Sequence, residues 1–228
     1  MDAAEHIPKD KSMLEMELRV LQHQLLEMAG IAERMLHQAV ESVLARDEVL
    51  ARAVIATDDT VDSFENQIEA TCIQLIALHQ PVAFELRFLT SAMKICRHIE
   101  RLADKSVSIA RRSLELLEHP PFPPFVDLPY IARLIQEMVK DALDAFVNRN
   151  AGLASEIRGR DEKVDAIYAR LLPEIYSVLS ERPKLIEPGI SILLLYRHLE
   201  RVGDLSANIG EEVYYLVKGD VIRHHNAS

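Results

Sequence analysis

Hydrophobic side chains recur at every third or fourth position along most of the chain and fall into six stretches. Three of these stretches, over residues 18–43, 61–75 and 89–107, lie in the first half. This spacing places the hydrophobic side chains on one face of an α-helix. Asp47 is a favourable N-cap between the first two stretches, and Gln80 with Pro81 separates the second from the third. The pattern therefore predicts three amphipathic helices in this half.

The second half shows the same pattern. It predicts helices over residues 129–147, 151–180 and 187–218, with breaks at residues 148–150 and at Pro183 and Pro188. Pro173 lies inside the fifth stretch, where a kink is favoured over an end of the helix. A helix of about 30 residues is roughly 45 Å long at a rise of about 1.5 Å per residue. Helices of that length favour an antiparallel bundle.

A proline-rich segment separates the two halves. Residues 119–124 contain four prolines. Each proline lacks a backbone donor and pushes the preceding residue out of the helical region. We therefore predict a flexible N-terminus over residues 1–12, a first three-helix repeat over 13–118, a proline-rich linker over 119–128, a second three-helix repeat over 129–218 and a C-terminal tail over 219–228.

The composition supports helices rather than strands. The 228 residues include 7 glycines and no tryptophan, and aromatic residues make up 5%. Glycine alone averages about 7% in ordinary proteins. We therefore predict an all-α protein with six long antiparallel helices, arranged as two tandem three-helix bundles.

The charge and the cysteines narrow the possible functions. The formal net charge is −10, which argues against a nucleic-acid-binding surface. Cys72 and Cys96 lack a C-x-x-C spacing and lie in apolar helical stretches, which is typical of reduced core thiols in the cytosol. Because no run of about 18 uncharged apolar residues is present, we expect no membrane insertion. We expect a cytoplasmic protein, at most resting on a membrane or a membrane protein.

A sequence motif recurs in the two halves. Residues 98–104 (HIERLAD) match residues 198–204 (HLERVGD) at an offset of 100 positions. Upstream, residues 58–62 (DDTVD) resemble residues 161–165 (DEKVD) at an offset of 103. The slip of three residues falls between helices. The chain therefore contains two copies of one three-helix unit, each with an upstream D-x-x-V-D and a downstream E-R-x-x-D.

Each copy carries acidic residues one helical turn apart. The middle helix of the first copy presents Asp58, Asp62 and Glu65, and its third helix presents Glu100 and Asp104. Like charges at i and i+4 cost about 0.2 to 0.5 kcal/mol per pair. Both stripes flank the apolar seam, so in a compact bundle they can face each other, and they then repel unless cations lie between them. Carboxylate oxygens suit hard ions such as Mg²⁺, Ca²⁺, Mn²⁺ or ferric iron.

A solvated helix face is the simpler interpretation of the same stripes. Arg97, Arg101, Lys105 and Arg201 lie close enough in sequence to form ordinary surface pairs with the acids. Repetition in both halves favours the cation hypothesis, because duplicated surface charges have no reason to keep their register. Both interpretations stay open at this point.

A ferritin-like di-iron site is disfavoured by the residues that follow the glutamates. That site requires E-x-x-H on two helices. Ala103 and Gly203 stand at the position of the histidine here. These small residues instead indicate close helix contacts, since a glycine inside a helix otherwise costs about 1 kcal/mol.

Taken together, these residues resemble the PhoU family of phosphate-uptake regulators. The resemblance covers residues 13–224. It is carried by the turn at residues 80–87 (QPVAFELR), both E-R-x-x-D motifs, residues 205–209 (LSANI) and residues 217–224 (VKGDVIRH). It implies two tandem three-helix bundles with metal clusters on the acidic motifs. The implied metals are often iron or zinc, and Mg²⁺, Mn²⁺ or Ca²⁺ also remain open.

The resemblance also implies the residues of two metal sites. The first site would comprise Asp58, Asp62, Glu65, Glu100 and Asp104. The second site would comprise Asp161, Asp165, Glu200, Asp204 and Asn208. The copies differ, because Tyr168 stands where the first copy has Glu65, and Ser108 stands where the second has Asn208. Equal occupancy of the two sites is therefore not required.

The function implied by the resemblance is regulatory. PhoU-like proteins are cytosolic adaptors, not enzymes, and they damp phosphate-starvation signalling by linking the phosphate ABC transporter to a membrane sensor histidine kinase. The implied partners are the transporter ATPase subunit and the cytoplasmic region of the kinase, and a homodimer is expected. These partners would place the protein in the cytoplasm, peripheral to the inner membrane.

A metal-dependent phosphate-ester hydrolase is the competing hypothesis. Its carboxylates would hold two ions about 3.5 to 4 Å apart and activate a water molecule. The chain contains no P-loop, G-x-S-x-G or H-E-x-x-H motif, so this alternative depends only on the number of carboxylates. A third hypothesis is a helical scaffold that holds no metal.

Overall fold

Six α-helices make up the computed structural model, which describes residues 9–121 and 128–220. The first repeat consists of α1 (Lys9–Leu44), α2 (Glu48–His79) and α3 (Ala83–Leu117). The second consists of α4 (Leu128–Asn148), α5 (Ala151–Glu181) and α6 (Ile186–Lys218), with a 3-10 turn at Pro183–Leu185 before α6. No strand occurs in the described ranges, which confirms the predicted all-α class.

The helix boundaries lie close to the predicted ones. α1 begins at Lys9, inside the segment predicted to be a flexible N-terminus, and the first eight residues lie outside the described part. Residues 122–127 of the predicted linker and 221–228 of the predicted tail also lie outside it. α5 continues through Pro173, as expected for a proline that does not end the helix.

The same turn precedes the second helix of each repeat. Asp47 Oδ1 accepts hydrogen bonds from two backbone N–H groups in the first turn of α2, at 2.8 and 3.1 Å. This confirms the predicted N-cap. Asn150 caps α5 in the same way, with an N–O distance of 3.1 Å. The residues before the caps, Arg46 and Arg149, both have left-handed φ angles, of 53° and 50°. The internal repeat therefore extends to the backbone of the turns.

α3 and α6 lie at the centre of the molecule and join the two repeats. Each packs against two helices of its own repeat and against the other. The two helices run antiparallel, because Lys94 pairs with Glu212 at 3.2 Å near one end and Ser191 donates a hydrogen bond to Glu115 at 2.7 Å near the other. In this register the two E-R-x-x-D motifs lie at the same height. One hydrophobic core runs through both repeats.

The helices bury the positions that the hydrophobic pattern predicts. On α2 the buried side chains are Ala51, Val54, Val61, Ile68, Cys72 and Leu75. Cys72 and Cys96 are both free thiols, and burial raises the pKa of each to about 12. Both cysteines are therefore core residues, as predicted. Within the described ranges, no helix is both long and apolar enough to span a bilayer.

Candidate metal centre

Three carboxylates of the second repeat converge between α5 and α6, and we call them the second-repeat triad. Asp161 and Asp165 stand one turn apart on α5, and Asp204 approaches them from α6. One oxygen from each carboxylate lies within 4.8 Å of the other two. Asp161 and Asp204 are partly buried, whereas Asp165 is exposed. Among the described side chains, no other three Asp, Glu, His or Cys residues approach one another this closely.

Glycines on α6 allow this helix to lie close to α5. A Cβ added to Gly203 would lie 2.9 Å from Asp161 Oδ1, and one added to Gly210 would lie 2.8 Å from a backbone oxygen of α5. The matching positions of the first repeat hold Ala103 and Ala110, which are both buried. The close helix contact predicted for Gly203 is therefore present, and it brings Asp161 against α6.

The surroundings of Asp161 disfavour its negative charge. Burial, followed by the charges of Asp204, Asp165 and Glu200, raises the pKa of Asp161 to about 7. Its Oδ1 atom is buried and has no hydrogen-bond partner among the described residues. A buried oxygen without a donor costs free energy. A cation held by the triad would compensate for both the repulsion and the missing donor.

The other two predicted ligands of the second site lie beside the triad. Glu200 is 8% exposed, and its Oε1 accepts a hydrogen bond from Arg197 at 3.0 Å. Burial, followed by the charge of Asp204, raises the pKa of Glu200. Asn208 stands one turn after Asp204 on α6. Asp204 itself accepts a hydrogen bond from Arg201 at 2.6 Å. The structure thus places three predicted ligands within 4.8 Å of one another. Asn208 lines the same cavity as Asp161 and Asp204, and the charge of Glu200 contributes to the raised pKa of Asp161.

The acids of the first repeat gather more loosely between α2 and α3. Burial, followed by Asp62 and Asp104, raises the pKa of Asp58. Burial, followed by Asp104, Glu65 and Asp62, raises the pKa of Glu100 to about 7. The neighbouring acids therefore disfavour the negative charges of Asp58 and Glu100. No three of the first-repeat acids reach the mutual 4.8 Å of the second-repeat triad, so the two predicted sites occupy matching positions with different geometry.

Two separate segments of the chain match one protein family. The PhoU domain model matches residues 25–113 and again residues 128–213. The chain belongs to the PhoU family. The two matches fall on the two three-helix units and confirm the internal repeat.

PhoU proteins resemble the chain over most of its length. It is 35% identical over 209 residues to a phosphate-specific transport system accessory protein PhoU homolog from Pseudomonas aeruginosa, covering 91% of this chain and 86% of that protein. A protein of the same name from Aquifex aeolicus is 33% identical over 210 residues, covering 92% of this chain and 95% of that one.

Two crystal structures of PhoU proteins share this fold. The structure of PhoU from Pseudomonas aeruginosa matches with a TM-score of 0.88 at 35% identity, covering 90% of this chain and 99% of that one. The phosphate transport system regulatory protein PhoU from Streptococcus pneumoniae matches with a TM-score of 0.86 at 29% identity, covering 92% and 100%. The predicted tandem three-helix architecture is confirmed.

A groove beside the triad of this PhoU-family protein was not predicted from the sequence. It lies between α3, α5 and α6 and has a volume of about 670 Å³. Its basic side chains are Arg101, Lys105, Arg158 and Arg201. Three of these are basic residues that the solvated-face alternative pairs with the acids, and one of them, Arg201, does pair with Asp204 at 2.6 Å. The cluster forms because α3 packs antiparallel on α6, which no local sequence pattern shows.

Proposed function

We propose that this protein is a cytoplasmic regulatory adaptor of phosphate uptake. Relatives that are 33% and 35% identical over nearly the whole chain are named accessory proteins of the phosphate-specific transport system, which supports a role beside a phosphate transporter. In the finer proposal, it couples the transporter ATPase subunit to the cytoplasmic region of a sensor histidine kinase. It thereby represses the phosphate-starvation response when phosphate is plentiful. It acts as a homodimer, peripheral to the inner membrane.

The second-repeat triad is the observation that supports a metal in this function. A cation held by Asp161, Asp165 and Asp204 would tie α5 to α6 and remove the repulsion between them. The three donors are all carboxylate oxygens, which suit ferric iron, Mn²⁺, Mg²⁺ or Ca²⁺. Structural zinc more often takes thiolate and imidazole ligands. In our proposal Glu200 and Asn208 complete the shell.

The first repeat would hold a second ion more weakly. Its acids already raise one another's pKa values, as described for Asp58 and Glu100, so a cation would relieve repulsion there as well. The looser arrangement predicts lower affinity than at the second-repeat triad. Both ions would stiffen the helix faces that the protein presents to its partners.

Pull-down from phosphate-replete cells tests the adaptor function. The tagged chain is expected to enrich the ATPase subunit and the kinase. Enrichment is expected to fall when all three triad residues are changed to asparagine. Glu156→Gln is the matched control, because Glu156 is an exposed acid of α5 outside the triad. Failure of the wild-type chain to capture either partner would contradict the adaptor function, and full capture by the triad variant would contradict the part assigned to the metal.

The hydrolase alternative would use the same carboxylates. The relatives reported above are named as accessory or regulatory proteins, which favours the adaptor. Phosphomonoester hydrolysis assays with Mg²⁺, Mn²⁺, Zn²⁺ and iron separate the two. Turnover that disappears in Asp104→Asn and Asp204→Asn, and persists in Glu156→Gln, would favour a hydrolase instead.

A further inference from the structure

The groove between α3, α5 and α6 combines basic side chains from both repeats. The two from the second repeat are engaged by neighbouring carboxylates, at N–O distances of 2.6 and 3.7 Å. The two from the first repeat, Arg101 and Lys105, stand one turn apart on α3 and line the groove. Neither forms a salt bridge with another described side chain. The groove therefore presents two cations that are available to a ligand.

A cation in the triad would reverse the charge of this groove. The carboxylates that line it are Asp104, Asp161, Asp204 and Glu211. These four balance the four basic side chains. Asp165 and Glu200 also face the ion from outside the groove, and Glu200 is paired with Arg197 at 3.0 Å, so six carboxylates face five basic groups and the formal charge is −1. A divalent ion would change it to +1, and the loaded groove would attract an anion.

We propose that the metal-loaded groove binds a phosphoryl oxyanion, either free phosphate or a phosphate group on a small molecule. The inference rests on the metal site proposed above. Arg101 and Lys105 approach from α3, and the triad lies on α5 and α6. A tetrahedral oxyanion has enough oxygens to meet the ion and both side chains at once, whereas a carboxylate has two. Guanidinium and ammonium groups are both common ligands of phosphate.

Binding of the anion and of the ion would be coupled. The ion raises the affinity of the groove for an anion. By thermodynamic reciprocity, the anion must raise the affinity of the triad for the ion by the same factor. The ligand would also connect α3 of the first repeat to α5 and α6 of the second. An occupied groove would therefore stabilise the packing of the first repeat against the second.

Equilibrium dialysis of the full chain against radiolabelled inorganic phosphate tests this proposal, with the bound Mn²⁺ measured in the same samples. Phosphate is expected to be retained by Mn²⁺-loaded protein and not by chelator-treated protein. Arg101→Gln and Lys105→Gln are each expected to weaken retention by about tenfold or more, because each removes a charge-assisted hydrogen bond. Lys163→Gln is the matched control, since this exposed α5 residue lies two positions from both Asp161 and Asp165 and outside the groove.

The outcomes separate this proposal from the metal site on which it rests. Protein that holds Mn²⁺ but no phosphate would overturn the anion site alone. Equal weakening by Lys163→Gln would also overturn it, because the attraction would then be a general effect of charge. Protein that binds no Mn²⁺ would overturn the metal site and the anion site together. Competition by adenosine monophosphate would assign a phosphoryl group on a small molecule, and its absence would assign free phosphate; both support the shared chemistry.

Discussion

Asp161 Oδ1 lies 2.9 Å from the point where a Cβ of Gly203 would stand. No carbon side chain fits there at an ordinary contact distance, so the carboxylate can approach α6 only because residue 203 is glycine. The equivalent residue of the first repeat is Ala103, which is buried. We infer that this methyl group, together with that of Ala110 where the second repeat has Gly210, keeps the first-repeat acids from closing into a triad like the second.

Gly203→Ala is therefore expected to weaken metal binding at the second-repeat triad. The added methyl must displace Asp161, since its Oδ1 lies at 2.9 Å whereas Val164 and Met138 lie at ordinary contact distances of 3.6 and 3.8 Å. Changes beside metal ligands typically cost about 10- to 100-fold in affinity, and we expect a loss in that range. Metal titration followed by calorimetry measures it.

Gly159→Ala is the control for the helix propensity of this substitution. Gly159 lies on α5, inside a helix like Gly203, and a Cβ added to it meets no atom within 4 Å. Alanine at an open helical position is expected to stabilise the chain by about 1 kcal/mol, with no change in metal affinity. Unchanged affinity in Gly203→Ala, or an equal loss in Gly159→Ala, would disprove the steric explanation.

Ala103→Gly is expected to have the opposite effect on the first repeat. Removing the methyl lets α2 acids approach α3, so a metal should bind the first site more tightly. The measurement is best made in a chain whose triad residues are all asparagine, so that only the first site titrates. Tighter binding is expected although glycine costs about 1 kcal/mol of helix stability. Unchanged or weaker binding would show that another contact limits the approach.

The sequence predicted the helices and the acidic pairs because both depend on local spacing. Prolines and the 3.6-residue period define six helices, and the residue type of Asp47 is enough to predict the N-cap of α2. The unequal closure of the two sites was not predicted, because it depends on the distance between helices. That distance follows from contacts such as Gly203 against Asp161. The small residues at 103 and 203 predict close helix contacts, but they do not show in which repeat the acids of the two helices come together. The basic groove was missed for the same reason, since it forms where α3 crosses α6.

The contribution of Asp161 to the stability of the metal-free protein should fall as the pH rises towards neutrality. The pKa of Asp161 is about 7 in the folded chain against an ordinary 3.8, so the folded state binds the proton more tightly than the unfolded state. This contribution is full below pH about 4 and is lost as the pH rises through about 7. In chelator, Asp161→Asn should therefore unfold at higher urea than wild type at pH 8, with a smaller difference at pH 5.

Metal should reverse that comparison at pH 8. Wild-type protein gains stability from the ion, whereas Asp161→Asn lacks one ligand and gains less. Glu156→Gln is expected to behave like wild type in both conditions. A urea midpoint that does not change between wild type and Asp161→Asn at either pH would contradict the repulsion inferred at the triad.

The cap of α2 provides a test of stability that is independent of metal. Asp47→Ala removes an acceptor used by two backbone N–H groups and is expected to cost about 1 kcal/mol of unfolding free energy. Asp47→Asn keeps an acceptor oxygen and should cost much less. Urea denaturation of the three proteins measures the difference, and equal stability of Asp47→Ala and wild type would show that the cap contributes nothing.

The metal content of protein purified without chelator tests the central claim most directly. Elemental analysis would compare the wild type, the chain with all three triad residues changed to asparagine, and Glu156→Gln. We predict a tightly bound ion in the wild type and in Glu156→Gln, and its loss from the triad variant. Wild-type protein without metal, or a triad variant that keeps the full amount, would contradict the claim that these carboxylates hold a cation between α5 and α6.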